Sequence, residues 1–284
     1  MPELLERIGA FATDTRAAQH ETVRRLVYAH AITGMLWGEG WRYRRARILR
    51  DWETATNVRD LIWREGVLPR IGRANATGFG VFYLGSCRDT ALSEVRAVDD
   101  DVVLSEFVIR TNLDMLVAPI GEMIQVQRTG HGFLAGDASR HLSDMINSCE
   151  RDAAKAMLIT DAFLLRVLTE TEDDYEKSSM VAMAIYEKLP GLTAVTFPSR
   201  RQFGGLNFAI RTDRFWDMWG VAMVRRARAT LLAEGFYALS EVRNGTGITN
   251  AGDVVWSNNI ESESDQCLLL DPPWFPLHPA AISS

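Results

Sequence analysis

The sequence predicts a mixed α+β fold, and three observations predict it. Apolar residues at three- and four-residue spacing over 3–36, 138–169 and 177–189 mark amphipathic helices. Short apolar or alternating runs at 41–48, 81–85, 101–110, 193–199, 204–211 and 236–242 mark strands. The two kinds of element do not alternate regularly enough for a doubly wound parallel sheet. At 284 residues and 47% hydrophobic, the chain buries a sizeable core without disulfides or metals.

Each element follows from its residues. The stretch 3–36 carries an apolar stripe (Leu4, Leu5, Ile8, Phe11) with charges between, and no chemistry-bearing cluster. It reads as one helix that packs against the body or a partner. In 41–48, Trp41, Tyr43, Arg45 and Arg47 share one side of an extended chain, and Arg42, Arg44, Ala46 and Ile48 the other. Arginines on both faces leave open which row meets an anion. PRIGRANATGF (69–79) is a loop, VFYLG (81–85) a strand, and Ser86 or Asp89 caps the helix CRDTALSEVRA, with Leu92 and Val95 inward. A DDD turn leads into strand 101–110. Helix 138–169, the charged break 169–174 and helix 177–189 follow, the last ended by Pro190-Gly191. Strands 193–199 and 204–211 come next. The run 214–235, rich in Ala, Leu, Met and Arg, reads as helical in its second half. A last strand covers 236–242, and the tail from 244 is irregular with its aromatics docked on the body. The organisation is a helical segment over 1–40, a main domain over 41–243 and a tail over 244–284.

Composition removes several classes of function. No run approaches the roughly 20 apolar residues that span a bilayer, so no membrane association is expected. MPELLERIGA lacks the apolar core of a secretory signal, which sets the expectation of a cytoplasmic protein. A net charge of −6 argues against direct nucleic-acid binding. The five arginines within 41–50 suggest an anion pocket instead. Three widely spaced cysteines (Cys87, Cys149, Cys267) and five scattered histidines give neither a disulfide framework nor metal-ligand spacing, so no metal is expected.

Four places can carry chemistry. In GRANATG (72–78), glycines permit close backbone approach, Arg73 offers a planar fork for a phosphate or diphosphate, and Asn75 holds the turn. A solvated arginine is the ordinary alternative. Tyr83, on the opposite face of its strand from Phe82 and Leu84, is either a core tyrosine or an aromatic plate for a flat ring. Glu94 is a surface glutamate unless Arg73 and Tyr83 share its pocket. Ser178 sits near a helix start and is either a cap or an anion contact; Ser199 ends a strand beside Arg200 and Arg201.

The run GRANATGFGVFYLGSCRDTALSEVR resembles the core of RES domains, the toxins of bacterial RES–Xre toxin–antitoxin pairs. The family pattern is an arginine strand, G-R-x-N-x-x-G, a short strand ending in Tyr, then T-A-L-x-E-V-R. A looser second block, from YEKSSMVAMAIYE to TAVTFPSRRQFGGLNFAI, is similar to the family's second half, and the likeness covers about 41–212. The resemblance implies a fold like that of ADP-ribosyltransferases and an enzyme that cleaves the nicotinamide–ribose bond of NAD, by hydrolysis or with inorganic phosphate as acceptor. It implies an Xre-type antitoxin as partner. A protein ADP-ribosyltransferase with the same pocket, and a non-catalytic interaction module of the same fold, are the competing readings. Carried over, the family's Arg, Tyr and Glu fall at Arg73, Tyr83 and Glu94. The upstream arginine falls at Arg45, ahead of Arg47 and Arg44, and the serine at Ser178 or Ser199. Arg45, Arg47, Arg73, Asn75, Tyr83 and the serines are then the NAD contacts, and Glu94, Arg73 and Tyr83 the catalytic set, with Glu94 at the reacting centre. A second copy of the chain stands among the expected partners.

Overall fold

The computed structural model describes residues 1–50, 54–170, 174–263 and 268–277. The middle of the predicted charged break, Cys267 and His278 lie outside them. Among the described residues, eight α-helices and eleven strands make a mixed α+β protein. No helix there is long and apolar enough to cross a membrane. The chain divides into two compact units, Met1–Trp37, Leu68–Val81 and Met115–Pro198 in the first, and Gly38–Val67, Phe82–Asp114 and Ser199–Ser284 in the second.

The first unit is mostly helical. The predicted helix 3–36 is two helices, α1 (Pro2–Ala10) and α2 (Arg16–Ala29), followed by a short strand, β1 (Met35–Trp37). The break falls where Thr15 adopts an extended conformation and its side chain accepts from Ala18 N, a standard N-cap. β5 (Met115–Pro119) pairs antiparallel with β1 and parallel with β6 (Ala194–Pro198). Neither β5 nor the helix α4 (Glu122–Thr129) after it was expected from the sequence. Helix 138–169 is likewise two, α5 (Ser139–Ser148) and α6 (Arg151–Glu170), parted at Cys149-Glu150. The next helix, α7 (Tyr175–Lys188), packs on α2 and α6.

The second unit is a sheet in the order β7-β3-β2-β4-β8-β9-β10, with β11 also on β9. Its strands are β2 (Arg42–Ile48), β3 (Val81–Gly85), β4 (Asp99–Ile109), β7 (Leu206–Arg211), β8 (Trp219–Ala233), β9 (Phe236–Ile248), β10 (Val254–Trp256) and β11 (Glu261–Glu263). Two expectations are corrected here. The run after 218 is not helical: β8 is a 15-residue strand, paired with β4 from Trp219 to Thr230. Burial between neighbours on both sides overrides the helix propensity of its Ala, Leu and Arg residues. The tail after 244 is not wholly irregular, since β9 runs to Ile248 and β10 and β11 pair back onto it. Its aromatics do dock: Trp256 Nε1 donates to Ala55 O at 2.9 Å, and the Trp274 backbone exchanges two 2.8 Å hydrogen bonds with Val221 of β8.

The two faces of this sheet are different. One carries aromatic packing by Tyr43, Phe82, Phe107, Phe208, Phe215 and Trp219, largely edge-to-face. The other carries Ala46, Val102, Leu104, Ala227, Leu239 and Val242, covered by Ala91 and Leu92 of the helix α3 (Arg88–Glu94). The α3 cap is Cys87, whose Sγ accepts from Thr90 N, rather than Ser86 or Asp89. α8 (Phe215–Met218) is a single turn before β8.

Candidate active site

Glu94 ends α3 and is exposed to solvent. Its Oε1 accepts two short hydrogen bonds, from Ser199 Oγ at 2.6 Å and from Asn207 Nδ2 at 2.6 Å. Its Oε2 has no partner among the described residues. Ser199 is itself oriented, because its Oγ accepts from Arg201 N and Gln202 N, both at 3.1 Å. Those bonds occupy its lone pairs and leave the hydroxyl proton for Glu94. The loop is closed by Ser199 N donating to Gly205 O at 2.8 Å and tied to α3 by Ser93 Oγ, which donates to Gln202 Oε1 at 3.3 Å. Gly205 allows the approach, since a Cβ there would collide with the Thr90 hydroxyl and with Gln202.

Strand register decides which neighbours share this side. Arg44 pairs with Gly85 of β3 and with Glu106 of β4. Residues in register project to one face, so Arg44, Glu106 and Tyr83, two residues before Gly85, lie on the α3 face. Asn207 lies there too, since its neighbour Phe208 packs on Tyr43 at the other face. Tyr83 is half-buried. Arg44 Nε donates to Glu106 Oε2 and Arg42 Nη1 to Glu106 Oε1, both at 3.0 Å. The two guanidinium groups neutralise a carboxylate whose side chain is only 2% exposed. Arg44 Nη1 also donates to Ser86 O at 2.9 Å. Beside them, at the α3 N-terminal end, is a cavity of about 350 Å³ lined by Arg44, Arg88, Asp89, Glu106, Met223 and Arg225.

Arg45 and Arg47 lie on the opposite, aromatic face. Arg45 stacks 4.8 Å from the Phe82 ring centroid and donates to Tyr83 O at 3.2 Å. Burial pushes its pKa down to about 10, with the Arg47 charge adding to the shift, so it stays protonated at neutral pH. Arg47 Nη1 donates to Asp60 O at 3.0 Å. The strand arginine on the Glu94 side is therefore Arg44, not Arg45.

Arg73, Asn75 and Ser178 belong to the first unit. Arg73 Nη1 donates to Leu168 O at 2.9 Å and Thr169 O at 3.3 Å, closing the carbonyl end of α6, and its guanidinium lies 5.8 Å from the Tyr175 ring centroid. Asn75 is buried and holds the GRANATG loop as expected, its Nδ2 donating to Arg70 O at 2.8 Å and Ala76 O at 3.0 Å. Ser178 is fully buried inside α7, with its Oγ 3.5 Å from Tyr175 O. The α7 cap is Asp174, whose side chain accepts from Lys177 N.

The structure thus gathers Tyr83, Glu94 and Ser199 on one face of the second unit, and adds Asn207, Arg44 and Glu106. Asn207 carried a signal, being the polar residue between the apolar Leu206 and Phe208. Glu106 carried none beyond being an acid inside a strand pattern. No curated protein and no solved structure matches the chain. A family profile described as the RES domain matches residues 39–230, which take in the arginine strand, GRANATG, Tyr83, Glu94, Ser199 and Asn207. The chain belongs to the RES domain family.

Proposed function

We propose that this protein consumes NAD, breaking the bond between nicotinamide and the C1 carbon of its ribose. The observation that carries the reading is the exposed Glu94 carboxylate, fixed at Oε1 by Ser199 and Asn207 with Oε2 open. Breaking the C–N bond sends its electron pair to nicotinamide, which leaves neutral and needs no strong acid. Positive charge grows on the ribose as the bond stretches. A carboxylate held beside it stabilises that charge or grips the ribose hydroxyls. An oxygen of water or of inorganic phosphate then bonds to the same carbon and gives up one proton, yielding ADP-ribose or its 1-phosphate. Tyr83 supplies a flat face on the same side. The arginine-lined cavity at the other end of α3 offers positive charge to the phosphates. NAD is substrate here, and the proposed chemistry asks for no metal. The biological consequence is toxicity by NAD depletion in the cytoplasm, restrained by an Xre-type antitoxin.

The test is incubation of the purified protein with adenine-labelled NAD, with and without phosphate. Free labelled ADP-ribose, or its phosphorylated form when phosphate is added, supports the proposal. Label attached to protein would establish transfer to a protein acceptor instead. Undegraded NAD in both mixtures would refute the reading.

A further inference from the structure

We infer that Asn207 is a positioning residue for the reaction, holding the Glu94 carboxylate in its working orientation; this rests on the NAD-cleaving reading above. Glu94 stands at the last position of α3, the negative end of the helix dipole, which does not favour a carboxylate. Its side chain is exposed and would otherwise sample several rotamers. Two donors on one oxygen select a single arrangement, and they come from different elements. Ser199 lies on the loop after β6, and Asn207 on β7, which neighbours the β3 strand of Tyr83.

The two donors are not equivalent. Ser199 is half-exposed, enough to meet a substrate itself, and it sits on a loop. Asn207 is 8% exposed and set in a strand whose neighbours Leu206 and Phe208 are buried, so its amide is immobile. A buried amide in that strand is costly unless its hydrogens are used. Glu94 Oε1 takes one of them at 2.6 Å. The residue type also matters. An amide nitrogen only donates towards Glu94, whatever the pH. An aspartate in its place would put two carboxyl oxygens about 2.6 Å apart, a separation at which the pair must share one proton.

That difference supplies a test that a merely structural role would fail. Asn207→Ala should lower kcat for nicotinamide release roughly 10- to 100-fold with KM within about twofold, because the carboxylate is displaced rather than lost. Asn207→Asp should be pH-dependent relative to the wild type. At acidic pH the shared proton lets the introduced carboxyl donate to Glu94 as the amide does, and activity approaches that of the wild type. As pH rises and the pair loses its proton, activity should fall away to the alanine level or below. Carboxyl 13C NMR of Asn207→Asp provides a readout independent of turnover, and should show one extra proton retained by the pair at neutral pH. Wild-type kcat in both variants, or an equal and pH-independent loss in both, would overturn the inference. If the wild type itself leaves NAD intact, the functional reading fails, while the NMR still decides whether residue 207 and Glu94 are coupled. Absence of the retained proton would then overturn the coupling as well.

Discussion

Arg73 is occupied in a way that its motif does not reveal. Its guanidinium closes the carbonyl end of α6, where a positive charge is favourable by roughly 0.3–1 kcal/mol. Arg73→Ala should therefore lower the melting temperature as well as weaken NAD binding. Arg73→Lys, which keeps a charge but not the fork, should lose less of both. Thermal unfolding and NAD titration of the two variants check this, and equal behaviour of both with the wild type would leave Arg73 without either role. Asp161 is a second residue whose behaviour follows from its place. It accepts from Gly121 N at 2.9 Å and Ile124 N at 3.0 Å at the start of α4. Burial, with a smaller contribution from the Glu122 charge, pushes it up to about 6. A folded pKa above the ordinary 3.8 means that the folded state holds its proton more tightly. The resulting stability is present below about pH 4 and is lost as pH rises through 6. Its size is about 2–3 kcal/mol. Urea unfolding between pH 4 and 7 should show this slope in the wild type and a flatter one in Asp161→Asn. Identical slopes would remove Asp161 as its source.

At the scale of elements, the N-terminal helices have an assigned place. Leu4 and Phe11 are buried, and Phe11 meets Phe163 of α6 edge-to-face at 5.0 Å. Val23, Leu26 and Val27 of α2 are buried as well, and Lys188 of α7 closes its end by donating to Val27 O and His30 O at 2.8 and 2.7 Å. Deleting residues 1–36 should uncover the α6 and α7 faces, lower the melting temperature and promote association. A truncated protein that stays monodisperse with an unchanged melting temperature would show that these helices do not buttress the unit. α3, β3, β4, β6 and β7 were legible in the sequence and fall where their apolar runs and flanking turn residues put them. β8 was not, because its Ala, Leu, Met and Arg residues favour a helix, a preference that only pairing with β4 and β9 overrides. β2 was legible as a strand but not in register, since arginines on both faces remove the apolar row that would fix it.

For the whole molecule, the ordered motifs from GRANATG to GGLNFAI carried the family. What spacing could not carry is the contact across more than a hundred residues that brings Ser199 and Asn207 onto one carboxylate oxygen. Such contacts are made by chain topology rather than by local pattern. The central claim is that this oxygen pair, held at one end and open at the other, is the reacting group. Glu94→Gln isolates it. A glutamine carbonyl can accept from the same two donors, so the fold and the melting temperature should be preserved while the charge is lost. The decisive measurement is the initial rate of nicotinamide release from NAD by the wild type and Glu94→Gln at equal concentration, with thermal unfolding of both. The account predicts a rate roughly 10²–10³ lower in a variant that melts with the wild type. Near-normal release by a folded Glu94→Gln would contradict it.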